Sequence, residues 1–122
     1  MEIVVISLDD FFSDRPESRQ LFDALVACVN ALGPVEMRVS KSQIAFRRRK
    51  AFAWAWVPGK YLRGKTAPLV LTLSFRRRDP SPRWKEIVEP ARRFTHHLEI
   101  FLPGELDEEV KDWLRRAWAA AV

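Results

Sequence analysis

Between Phe46 and Val57 the chain reads FRRRKAFAWAWV, a cationic run followed by alanines that alternate with aromatic rings. Alternation at period two is the mark of a strand, because successive side chains point to opposite faces of a sheet. Phe52, Trp54 and Trp56 then share one face, and Ala51, Ala53 and Ala55 the other. Similar runs recur in VEMRVS (35–40), SQIAFR (42–47), PLVLTLSFR (68–76) and RFTHHLEIF (93–101). Short connections between neighbouring runs favour antiparallel pairing. Two other segments follow the helical period. Leu21, Leu25, Cys28 and Leu32, flanked by Phe22, Val26 and Val29, make an apolar stripe. It starts behind Asp14 and Glu17, spaced as a capping box with Pro16 in the first turn, and stops at Gly33-Pro34. A closing helix is expected from Asp107, with Asp107, Glu108 and Glu109 at its positive end. Val110, Trp113, Leu114, Ala117, Trp118 and Ala121 supply its apolar stripe. The segment RDPSPRWKEIVEPARR (78–93) is expected to be irregular, with one helical turn around Trp84 to Val88.

These elements predict a single α+β domain over residues 1–122. Its core is an antiparallel β-sheet of about five strands, with an N-terminal and a C-terminal helix packed on one face. The rings of Phe52, Trp54 and Trp56 are expected to fill the covered side, leaving the alanine side as the floor of a shallow cleft. The run Arg47 to Lys50 is expected at an exposed hairpin turn, since four charges cannot be buried unpaired.

Composition narrows the partners. With 122 residues, 48% hydrophobic and 30% charged, the chain can bury a core without disulfides or metal. No apolar run approaches the roughly 18 residues of a bilayer span, so no membrane partner is expected. The start MEIVVISLDD lacks a basic leader and a small-residue cleavage site, and Cys28 is the one cysteine; both suit a reducing cytoplasm. The net charge of +5 comes mainly from arginine. Arg47, Arg48, Arg49 and Lys50, then Arg76, Arg77 and Arg78, then Arg92 and Arg93, then Arg115 and Arg116 form its clusters. Such clusters attract phosphate or carboxylate groups.

Three blocks carry a resemblance: LFDALVACVNALGPVEMRVSKSQIAFRRRKAFAWAWVP, SPRWKEIVEPARRFTHHLEI and LDEEVKDWLRRAW. They resemble a bacterial family catalogued as domain of unknown function 5655, found both alone and as a tail on other domains. More loosely, the chain is similar to the YdhG-like proteins, a group that includes frataxin-like iron chaperones. The resemblance covers nearly the whole chain after the first residues, supports the α+β architecture and implies no established activity or catalytic residue.

Candidate chemistry is sparse. There is no glycine-rich phosphate loop, nucleophile elbow or HExxH, so no catalytic residue and no cofactor is assigned. Lys41, between Ser40 and Ser42, and Arg47 are placed on the rim of the cleft to hold an anionic group. His96 and His97 point to opposite faces: His96 is read as a buried, hydrogen-bonded residue and His97 as the reachable one. Trp84 is the remaining candidate at the cleft. A zinc site lacks ligands, and Glu105, Asp107, Glu108 and Glu109 are better explained by the helix dipole than by iron. The leading expectation is a non-catalytic binding or accessory module for an anionic small molecule or a protein partner. It uses Lys41, Ser42, Arg47, Trp84, His96 and His97. The alternative is nucleic-acid binding through Arg47, Arg48, Arg49, Lys50, Arg76, Arg77 and Arg78. A second alternative is iron or other metal handling. Monomer and homodimer both remain open, the latter because five tryptophans are many for this length.

Overall fold

The computed structural model describes residues 6–89 and 93–122, so Arg92 and the first five residues, expected to carry no leader, lie outside the described residues. A one-turn helix α1 (Leu8–Phe11) precedes α2 (Pro16–Asn30). Six strands follow: β1 (Glu36–Val39), β2 (Ile44–Arg47), β3 (Ala51–Trp56), β4 (Leu69–Phe75), β5 (Glu86–Val88) and β6 (Phe94–Ile100). Helix α3 (Glu108–Ala120) closes the chain. The strands form one sheet in the order β1-β2-β3-β4-β6-β5, antiparallel at every junction.

The strand beyond the expected number is β5, where a helical turn was expected. Trp84 is buried, and the Lys85 N–H donates to the His97 carbonyl at 2.8 Å, laying the next residues along the free edge of β6. The start of α2 also differs. Pro16 opens it, but Arg15 is its N-cap without a side-chain bond, and Asp14 sits in the left-handed region at φ 61°. No capping box forms because α1, capped by the Ser7 hydroxyl on the Asp10 N–H, leads into that turn. Helix α3 begins as expected, its Asp107 carboxylate accepting from the Val110 N–H at 3.1 Å. Gly33 ends the α2 connection at φ 141°, where a Cβ would meet the Trp118 ring at 2.8 Å; both conformation and space demand glycine.

Leu21, Phe22, Leu25 and Val29 of α2 and Val110, Trp113, Leu114 and Ala117 of α3 join one apolar cluster with the sheet. The sheet contributes Ile44, Phe46, Leu69, Leu71, Leu73, Leu98 and Ile100, and with them Ala53 and Ala55. The expected face assignment is therefore reversed. Ala53 and Ala55 are fully buried beneath the helices, while Trp54 and Trp56 lie half-buried on the uncovered face. The register explains it. Ala53 stands between Phe46 and Leu73, and Ala55 between Ile44 and Leu71, so neighbouring strands supply the bulk and the alanines let α3 approach.

Phe52 escapes the reversal. Phe46 faces Ala53 and Arg47 faces Ala51, which leaves Phe52 as the extra residue of a β-bulge. The bulge breaks the alternation, and its ring is buried in the core cluster.

Candidate functional site

The uncovered face carries a row of polar and aromatic side chains set by the pairing. Ala45 lies beside Trp54, Trp54 beside Thr72, Thr72 beside His97, and His97 beside Glu86. Above this row is a cavity of about 550 Å³. Trp54, Trp56 and Tyr61 give it aromatic walls; Thr72, Ser74, Thr95 and His97 form a polar floor; Ser42 and Gln43 close one side.

A relay crosses that floor. The Trp56 indole N–H donates to Thr72 Oγ1 at 3.0 Å, and Thr72 Oγ1 lies 2.7 Å from His97 Nδ1. The hydroxyl oxygen has a second lone pair and one proton, so it can donate to Nδ1 or accept from it, and the link stands in either imidazole tautomer. Burial lowers the His97 pKa, and the Glu86 carboxylate raises it only in part, so the ring is neutral at pH 7. The cavity thus presents a neutral imidazole set edge-on to the Trp56 ring.

Charge gathers at one end of the sheet. The turn Arg47 to Lys50 enters β3, Arg76 to Arg78 leave β4, and the pairing of Phe75 with Phe94 brings Arg76 beside Arg93. The first turn is pinned to α3: the Arg48 guanidinium stacks 3.8 Å from the Trp118 ring centre, and the Arg49 N–H donates to the Ala121 carbonyl. A smaller cavity of about 300 Å³ links Trp54 and Ser74 to Lys50 and Arg93. Arg93 Nε donates to Ser74 Oγ at 2.7 Å, so this guanidinium is held where the aromatic cavity meets the basic end.

The structure brings together only part of the expected site. Ser42 and His97 line the cavity. Lys41 is exposed in the β1–β2 turn, at the opposite end of β2 from Arg47 and Lys50. Trp84 and His96 belong to the helix-covered side. The Trp84 ring packs 4.1 Å from Trp113 and 4.8 Å from His96. Sequence reasoning missed Trp54, Trp56, Tyr61, Thr72 and Ser74. The signal was present in β4, where Leu69, Leu71 and Leu73 alternate with Val70, Thr72 and Ser74: the hydroxyl-bearing parity is the open one, and its register carries the tryptophans with it.

His96 is buried as expected, with both ring nitrogens engaged. Nδ1–H donates to the Phe94 carbonyl at 2.9 Å, and the Asp79 N–H donates to Nε2 at 3.0 Å. Burial lowers its pKa, against the Phe94 carbonyl and the Asp79 carboxylate, which raise it. A folded pKa below the unfolded value means that the unfolded chain takes up the proton first. Stability is then full above about pH 6.5 and falls as pH drops below it. We expect urea unfolding midpoints to decrease between pH 7.5 and 5.5. In His96→Gln, which keeps an acceptor and a donor but cannot titrate, that part of the decrease is absent.

The acids once considered for iron are otherwise engaged. Glu105 Oε1 accepts from the Phe101 and Leu102 N–H groups, and Asp107 and Glu109 bind Arg83. Among the described residues, no three His, Cys, Asp or Glu side chains group as a metal site would require. No helix of the described residues is long and apolar enough to cross a membrane.

Fold and site define a two-layer α+β protein with one sheet face covered by helices and the other bearing an aromatic, hydroxyl-floored cavity. The chain belongs to the family described as Domain of unknown function (DUF5655), whose model matches residues 8–121. No curated protein and no solved structure matches it.

Proposed function

We propose that the protein is a non-catalytic binding module whose open sheet face takes an anionic ligand carrying a flat ring. The supporting observation is the junction at Ser74. On one side two half-buried tryptophans offer stacking faces, and on the other a guanidinium is already positioned. Stacking on tryptophan needs no particular ring, and arginine suits phosphate or carboxylate. The non-catalytic reading is supported by Thr72, the hydroxyl nearest an imidazole: it is 6% exposed and committed to both Trp56 and His97. A reducing, cytoplasmic setting is part of the proposal, suited to the lone thiol.

Phenyl phosphate and benzoate, titrated by calorimetry with tryptophan fluorescence in parallel, test this reading. Trp54→Ala is expected to weaken binding roughly 5- to 150-fold, since a stacked ring contributes about 1–3 kcal/mol. Arg93→Gln is expected to weaken it while leaving the neutral analogue phenol unaffected. Equal affinity of the Trp54→Ala and parent proteins for both anions would dispose of the proposal.

A second reading places single-stranded nucleic acid on the same rings. It is favoured by the convergence of Arg47 to Lys50, Arg76 to Arg78 and Arg93 at one end. It predicts affinity for a mixed-sequence oligonucleotide that falls steeply with salt.

A further inference from the structure

Beyond Ser74, on the side away from the rings, lies another cavity of about 380 Å³. Arg76, Arg77, Arg78, Arg93 and Arg116 line it, together with Asp79. Not all of this charge is free. Arg78 pairs with Glu89, and Arg116 with Asp79 and Asp112. Asp79 is itself satisfied by the Trp84 indole and the Ser81 amide. Arg76 and Arg77 are exposed and make no ion pair among the described residues. Arg93 spends its Nε on Ser74, and its two terminal nitrogens bond no side chain among the described residues.

Five guanidiniums around one cavity with a single carboxylate leave an excess of positive charge that focuses on an anion. The cavity shares Ser74 with the aromatic site, so one molecule can occupy both. Reach decides what kind of molecule. Thr72, beneath the rings, and Arg76, one residue past the end of β4, are four residues apart, at most about 13 Å. A phosphate next to a stacked ring meets Arg93 with Arg76 beside it; Arg77, further along the same cavity, is met by a second phosphate.

The far end of the open face argues against a longer polymer. A cavity of about 350 Å³ there is lined by Lys65 and Lys85 but also by Glu86 and Glu99. Those charges cancel, so a phosphodiester backbone continuing past the tryptophans meets no positive track.

We infer that the arginine cavity is a phosphate-chain subsite and that the ligand is a free nucleoside di- or triphosphate, its base on Trp54 and Trp56. This rests on the reading of the open face as a ring site and narrows its ligand class. Calorimetry with adenosine and uridine, each as nucleoside, mono-, di- and triphosphate and without divalent metal, tests it. Affinity is expected to rise at least tenfold from mono- to diphosphate. The exposed variant Arg77→Gln is expected to abolish that rise, leave monophosphate affinity unchanged and keep the parent unfolding midpoint.

Diphosphates no tighter than monophosphates in both series would overturn the inference while leaving the ring site standing. So would an Arg77→Gln variant that weakens mono- and diphosphate equally. Inorganic tripolyphosphate binding as tightly as the triphosphates would also overturn it, by removing the base. A tetranucleotide binding more tightly than either triphosphate would overturn it in favour of a strand. If phenyl phosphate and every nucleotide fail to bind, the ring site itself falls.

Discussion

Ala55→Glu abolishes cooperative folding or lowers stability by roughly 3–5 kcal/mol, whereas Ala45→Glu costs about 1 kcal/mol or less. The two changes are chemically identical and sit on adjacent, paired strands. Ala55 has no exposed surface and lies between Ile44 and Leu71 beneath the helices. A carboxylate there has no cation and no water, and the protein resists by unfolding or by keeping the acid protonated. Ala45 is half-buried beside Trp54 on the uncovered face, where a glutamate extends into solvent. Against a total stability of about 5–15 kcal/mol for an ordinary domain, the first loss is decisive and the second minor. Urea unfolding followed by far-ultraviolet circular dichroism reads both without depending on tryptophan emission. A larger loss in Ala45→Glu than in Ala55→Glu would mean that the sheet faces are the other way round, and the proposed cavity would go with them.

Why that reversal was hidden in β3 can be said physically. A strand of strict alternation declares two faces but not which is covered, because a tryptophan is at home in a core and on a binding surface alike. The answer lay in the neighbours. Leu69, Leu71 and Leu73 of β4 cannot face water, so the residues in register with them, Ala53 and Ala55, must be inside. Reading β3 alone gave the wrong side; reading it beside β4 gives the right one. The helices, by contrast, were legible from one segment each, since Leu21, Leu25 and Val29 or Val110, Trp113 and Ala117 point one way at helical spacing. The Phe52 bulge was not legible, because an inserted residue leaves the local pattern intact and shows only in pairing. Nor was the gathering of the arginines. Arg47 to Lys50, Arg76 to Arg78 and Arg93 are dispersed along the chain and meet only because antiparallel strands return to the same end.

Trp84→Ala is the other large effect, expected to cost about 3–5 kcal/mol. This residue holds an otherwise weakly featured segment against the core. Its ring contacts Trp113 and His96 and lies 6.3 Å from Phe75, and its Nε1–H donates to Asp79 at 2.9 Å. Burial alone would raise the Asp79 carboxyl, but the Trp84 indole, the Ser81 amide and Arg116 outweigh it and hold the group below its ordinary range. Removing the ring takes away packing, an Asp79 donor and the lid over His96 together. Trp84→Phe separates these effects: it keeps most of the packing and loses only the N–H, so a cost nearer 1–2 kcal/mol is expected. The pH dependence separates them further. With the ring gone, water reaches His96, its pKa returns toward 6.5, and the stability lost between pH 7.5 and 5.5 shrinks. In Trp84→Phe that loss persists, because His96 stays dry, whereas the stability that Asp79 confers, present above about pH 4 and lost below it, is reduced. Chemical unfolding at pH 7.5, 5.5 and about 3 measures all three. A Trp84→Ala protein within 1 kcal/mol of the parent and with the same pH dependence would mean that β5 and the turn before it hold their place by backbone pairing alone.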